Sequence, residues 1–296
     1  MVLGFDFYGS ENNVSFATSS ALNNFNRIDV SNVVVDELMI NTDENRTFIP
    51  EKESWSYTTV MDALFNGDLS AGSVNNGGIP IQQIKLRKRK ANSLEWADIS
   101  LFEFNKDISI YSCIDRIIAS NEDYEYSLVP ITQGIVGNSL LGQIHTSFDG
   151  TWIANIENSY QLLADLEYSD IEHINPRTLI ETYSKYPVML ISPVDYKKST
   201  LKCKVLTNNV LENSSIEQSD IKPLKQLKDN MLKFFKSRKP FILKSANGDY
   251  LLVGLMNFKE TPNNELKGMM SGIQFDWAEL GNTEIIKDLQ NAGLIL

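Results

Sequence analysis

From Ile84 onward apolar and polar residues alternate, with Ile84 and Leu86 on one side and Lys85, Arg87 and Arg89 on the other. A period of two marks a half-buried strand, so residues 79–90 are predicted to form one with a basic outer face. Tyr124, Tyr126, Leu128 and Pro130 alternate in the same way with Glu125, Ser127 and Val129. Aromatic residues suit a pleated surface, which makes this run a second strand. Asn75, Asn76, Gly77 and Gly78 supply a turn before the first run, and Asn121, Glu122 and Asp123 one before the second, because Asn and Gly tolerate positive φ. Short strands at this spacing predict a β-sandwich and a mainly β fold.

The last third follows a different period. After Ser219 or Asp220 as a cap and Pro223 in the first turn, Leu224, Leu227, Met231, Phe234 and Phe235 recur at three- and four-residue spacing. A helix over about residues 220–238 is predicted, with Leu227 and Met231 in its buried stripe. Lys233, Lys236, Arg238 and Lys239 gather where cations complement the helix dipole, and Pro240 forbids continuation. Two apolar runs, residues 241–244 and 250–255, then flank Asn247 and Gly248, a strong hairpin signal.

These grammars divide the chain. Residues 55–148 read as strands only, and residues 149–296 as strands, a helix and a hairpin over about residues 241–256. Residues 1–54 hold strand candidates at 2–7 and 33–40 but too little apolar material to fold alone. They are expected to complete the sheet of the third segment, which would make the strand-only segment an insertion. No internal repeat or low-complexity tract is visible.

Composition narrows function. The 296 residues are 42% hydrophobic and 22% charged, an ordinary globular balance. A formal charge of −11 argues against wrapping duplex nucleic acid or lying on an anionic membrane through general electrostatics. Cys113 and Cys203 stand ninety residues apart in apolar runs and are expected to be buried free thiols. The start of the chain lacks a basic segment followed by an apolar one, and no run of about 18 apolar residues occurs. Synthesis in a reducing cytoplasm is the expectation, and the sequons at Asn13, Asn45 and Asn213 then carry no sugar.

Candidate chemistry is sparse. His145 and His173 lie in no metal or nucleophile motif. Asp165, Glu167, Asp170, Glu172 and His173 form the densest set of oxygen ligands and are the best candidates for a cation site, although carboxylates alternating along a strand usually mean a solvated face. No glycine-rich phosphate loop opens a helix, so no nucleotide cofactor is expected. The basic run at Lys85, Arg87, Lys88, Arg89 and Lys90 lacks the interleaved aromatics of a nucleic-acid groove. A solvated face, or a complement to an acidic neighbouring subunit, is the better reading.

Residues 55–148 resemble a fibronectin type III domain. The loop and third strand are matched by Asn76-Gly77-Gly78-Ile79-Pro80-Ile81 through Arg87-Lys88-Arg89, with Trp96 following at the expected distance. Asp123-Tyr124-Glu125-Tyr126-Ser127-Leu128 is similar to the sixth strand, with Tyr124 in the place of the tyrosine-corner residue. The family's second-strand tryptophan has no counterpart, because no tryptophan lies between Trp55 and Trp96. Trp96, Tyr124 and Tyr126 are therefore expected core residues.

The wider chain resembles structural proteins of tailed-bacteriophage tails and baseplates, in the neighbourhood of distal tail components. The likeness runs through Ser10-Glu11-Asn12-Asn13, Leu69-Ser70-Ala71-Gly72, Lys185-Tyr186-Pro187-Val188, Arg238-Lys239-Pro240-Phe241-Ile242-Leu243-Lys244, Gly248-Asp249-Tyr250 and Phe275-Asp276-Trp277-Ala278-Glu279-Leu280-Gly281. It implies a tail-tube-like β domain with one packed amphipathic helix and an inserted fibronectin-like sandwich. It also implies a virion location and a non-catalytic role without cofactor or metal. Partners would be copies of the chain in a ring around the tail axis, such as a hexamer, and other tail or baseplate proteins. Lys85, Arg87, Arg89, Lys236 and Lys239 are the candidate assembly residues. The alternative is a carbohydrate-binding or adhesion module stacking sugars on Trp55, Trp152 or Tyr160, and a hydrolase with residues assembled from distant positions is a third.

Overall fold

The computed structural model describes residues 27–29, 36–41, 59–62, 81–105, 107–108, 110–137, 139–183, 185–213, 220–262 and 271–296. Strands predominate among them, and the sheets are almost entirely antiparallel. Two compact units emerge, Met1–Asp149 with Ala246–Gly248 and Ile295–Leu296, and Gly150–Ser245 with Asp249–Leu294.

The first unit is a β-sandwich. One sheet contains β1 (Arg27–Asp29), β2 (Asp36–Asn41), β3 (Thr59–Asp62) and β6 (Ile110–Asp115) in the order β1-β3-β2-β6. The other contains β4 (Gln83–Lys90), β5 (Ala97–Glu103), β7 (Glu122–Thr132), β8 (Ile135–Val136) and β9 (Leu140–Thr146). Its order is β5-β4-β7-β8, with β9 also pairing β7. Alternation puts Leu38 and Ile40 of β2, Tyr111 of β6, Ile84 and Leu86 of β4, Tyr124, Tyr126 and Leu128 of β7, and Ile144 of β9 into one core. The loop into β7 turns at Asn121, whose φ of 59° is left-handed, as the Asn-containing turn led one to expect.

The second unit is built on an eight-stranded antiparallel sheet. Its strands are β10 (Thr151–Ala154), β11 (Ser159–Leu162), β12 (Ala164–Tyr168), β13 (Glu172–Ile174), β16 (Tyr196–Lys204), β17 (Phe241–Ser245), β18 (Tyr250–Pro262) and β19 (Ser271–Gly281). The order is β11-β10-β17-β18-β19-β16-β12, with β13 pairing β16. Between β13 and β16 the chain makes a separate two-stranded ribbon of β14 (Arg177–Ile180) and β15 (Val188–Ile191). Among the described residues three helices accompany the strands: α1 (Asn208–Asn213), α2 (Ile221–Phe235) and α3 (Ile286–Asn291).

The buried stripe of α2 consists of Leu224, Met231, Phe234 and Phe235, with Leu227 partly buried against the same core. Phe234 meets Phe241 at 4.7 Å between ring centroids and Tyr160 edge-on at 5.0 Å. Phe235 stacks on Phe258 at 5.4 Å and meets Phe275 at 5.2 Å. Offset and edge-on geometries of this kind add to the area buried. The helix stops at Phe235, short of residue 238, because Arg238 adopts a left-handed φ of 58° that no α-helix continues. The expected hairpin follows as β17 and β18, and Gly248 at φ 92° makes its turn.

The placement of the N-terminal strands corrects one expectation. Instead of completing the sheet of the second unit, β2 pairs antiparallel with β6 from Asp36↔Asp115 to Asn41↔Ile110, and β1 and β3 join it. The physical reason is coverage. Ile84, Leu86, Tyr126 and Leu128 give the β4–β7 sheet an apolar face that needs a second layer, and Leu38 and Ile40 supply part of it. The described strands of residues 1–54 therefore belong to the sandwich and not to the later sheet. Residues 2–7, Trp55 and the turn at residues 75–78 lie outside the described residues.

Two measurements probe the second core. Phe235→Ala removes a ring held by Phe258 and Phe275, and unfolding in urea is expected to show a loss of about 3–5 kcal/mol. Cys203, buried in the same core, has its thiol pushed up to about 12 from an ordinary 9.0 by burial. The unfolded chain thus releases this proton at lower pH than the folded one. The thiol's contribution is whole below pH 9 and declines as pH rises toward 12. Cys203→Ala is expected to flatten the alkaline fall of the denaturation midpoint, and an unchanged slope would contradict the burial.

Candidate functional site

Strand β4 was the sequence's main candidate, and its two faces do different things. The alternation that turns Ile84 and Leu86 inward turns Lys88 inward as well. Its ammonium lies 2.8 Å from Asp115 Oδ1 and 2.6 Å from Oδ2, and it also donates to the Ile117 carbonyl. Asp115 is equally occupied, accepting from the Tyr126 hydroxyl at 2.9 Å and the Ile117 amide at 3.0 Å. Both charged residues are at most 5% exposed. A buried ion pair is tolerable only when its remaining hydrogen-bonding capacity is met, as it is here. Lys88 on β4, Asp115 on β6 and Tyr126 on β7 thereby tie the two layers of the sandwich.

The outer face carries Lys85, Arg87 and Arg89, but not as free charges. Two guanidinium groups lie over the Trp96 ring, with the Arg87 carbon 4.6 Å and the Arg89 carbon 4.5 Å from its centroid. Arg87 also donates to the Ser127 hydroxyl at 3.4 Å and is only 4% exposed. Arg89 meets Glu125 at 2.5 Å, and Lys85 meets Asp98 at 3.1 Å. The expected basic outer face is thus consumed within the unit, and Arg87 is too deeply covered to meet another subunit. Trp96 is buried as expected, yet it lies outside the inter-sheet core, clamped on the outer side of β4.

Tyr124 stands near the start of β7, and its hydroxyl accepts from the Ala119 amide at 3.0 Å, five residues upstream. This ties the corner between β6 and β7 to the strand that follows, the geometry of a tyrosine corner.

No protein-family model matches the chain, and no curated protein matches it.

In the second unit two of the carboxylates in the acidic run, Glu167 and Glu172, form ion pairs. Glu167 meets Lys202 at 3.0 Å and Glu172 meets Lys198 at 2.9 Å, joining β12 and β13 to β16. Among the described residues no cluster of three or more His, Cys, Asp or Glu is placed to hold a metal ion. His145 is exposed and lies 2.9 Å from Asp123, and His173 is exposed on β13. Of the aromatics considered for sugar stacking, Tyr160 instead packs edge-on against Phe234, and Trp152 is half-buried on β10. At the end of α2, Lys236 is exposed, while Lys239 pairs with Glu157 at 2.6 Å. No described helix is long and apolar enough to cross a membrane.

One further feature lies apart from the candidate residues. Every residue of β14 and β15 is exposed, and most are large and apolar: Leu179, Ile180, Val188, Met189, Leu190 and Ile191. Tyr183 and Tyr186, in the loop between them, are exposed too. The run of four apolar residues from Val188 to Ile191 was legible, although it reads equally as a buried strand.

A double-mutant cycle tests the Lys88 network. Lys88→Met leaves the Asp115 carboxylate buried without its cation and is expected to cost about 3–5 kcal/mol, whereas Lys88→Met with Asp115→Leu is expected to recover much of that loss. Additive losses in urea unfolding would mean that the two groups act independently.

Proposed function

We propose that this chain is a structural protein of a phage tail or baseplate, assembling with copies of itself into a ring around the tail axis and performing no catalysis. The observation that carries the reading is the apolar surface of β14 and β15. Soluble monomers rarely leave contiguous apolar patches of more than a few hundred Å² uncovered, and a larger one marks a surface used by another protein. The scaffold suits such a part. A broad antiparallel sheet with an amphipathic helix packed on it supports reading the second unit as a tail-tube-like domain.

Within this reading residues 55–148 supply a fibronectin type III-like sandwich. The strand order β5-β4-β7-β9 and the Tyr124 corner support that likeness. The parallel pairing of β2 with β3 departs from an all-antiparallel sandwich. Other tail or baseplate proteins are the remaining partners. Among the basic residues considered for assembly, Lys236 and Lys239 are exposed, and a contact made by either would weaken with salt.

The full chain at micromolar concentration is expected to scatter light as a multiple of its 33.4 kDa protomer and to show closed rings in negative stain. A protomer mass at every concentration, with no rings, would overturn the reading.

A further inference from the structure

The ribbon formed by β14 and β15 leaves apolar residues exposed on both of its faces. Its register places Leu179 opposite Met189 and Arg177 opposite Ile191 on one face, and Ile180 opposite Val188 and Thr178 opposite Leu190 on the other. The six aliphatic side chains are 41% to 63% exposed. Among the described strands these two pair only with each other, and the ribbon is closed at its base where the Ser192 amide donates to the Pro176 carbonyl at 3.0 Å. A lone two-stranded ribbon is marginal in water, and one with a single apolar face needs one covering layer. This one needs two.

We propose that the β14–β15 ribbon is an arm that inserts both apolar faces into a second copy of this chain. The inference rests on the self-assembly reading above and names the element that makes the contact. Two observations favour a second copy as the occupant. With Tyr183 and Tyr186, the six aliphatic residues present on the order of 900 Å² of accessible surface, against about 800 Å² per partner in a specific interface of standard size. Charge points the same way. From Pro176 to Pro193 the arm carries Arg177 and Lys185 against Glu181, a net positive charge, while the chain as a whole carries −11. A second copy is negative overall, so a weakly basic arm approaches it without the repulsion that an acidic arm would meet.

The test uses the full chain and one variant for each face, Met189→Asp and Leu190→Asp. Both positions are exposed, so the protomer should keep its circular dichroism and melting temperature. Each variant alone is expected to reduce the light-scattering mass to that of the protomer at concentrations where the wild type is assembled. Wild-type-sized oligomers in both variants would overturn the arm while leaving self-assembly standing. A wild type that is monomeric throughout would overturn both. Hydrogen exchange on the unmodified chain gives a reading independent of how the variants fold. Amides of residues 177–180 and 188–191 should exchange more slowly when the chain is concentrated enough to assemble. Equal exchange in monomer and oligomer would overturn the proposal. So would protection already present in the monomer and lost on deleting residues 1–26, which would assign the cover to the chain's own start.

Discussion

The main sheets of both units have to hide an apolar face, and the means by which each does so determines the rest of the described structure. In the first unit a sheet is covered by a sheet, with Leu38 and Ile40 of β2 set against the residues of β4 and β7. In the second a sheet is covered by a helix, whose Met231, Phe234 and Phe235 meet Phe241, Phe258 and Phe275. Hydrophobic coverage is non-directional, so it fixes which surfaces meet without fixing their register. Directional groups supply that in the first unit, through the buried Lys88–Asp115–Tyr126 network.

Much of this was legible in the sequence where the local period was clean. The alternation around Ile84 and Tyr124, the stripe from Leu224 to Phe235 and the Asn247-Gly248 turn each correspond to an element that is present. Pairing between distant strands was not legible. Nothing local in residues 36–41 says that their partner is residues 110–115 and not a strand beyond residue 150, because period-two patterns identify a face and leave the neighbour open. Assigning residues 1–54 to the later sheet failed for that reason.

The candidate site shows the same division. Reading residues 85–90 as a basic stretch treated charge as a property of the run, whereas the strand period separates it into two faces. Lys88 shares the phase of Ile84 and Leu86, so its burial could have been read from position alone. Its partner could not, since Asp115 lies 27 residues away on another sheet. The Arg87–Trp96–Arg89 clamp depended likewise on where the chain after β4 returns, which no spacing specifies.

The two faces of β4 also exclude the wrong pairing of that strand. Were β4 to slip by one residue against β7, every side chain would change sides. Lys88 would leave Asp115 as a bare carboxylate in the interior, the guanidinium groups of Arg87 and Arg89 would turn inward away from Trp96, and Leu86 would face water. Each of these changes is unfavourable by itself, and all occur together. The strand at the centre of the sandwich is thus proofread by its own charges: residues that look like a liability in an apolar fold are what leave it only one way to close.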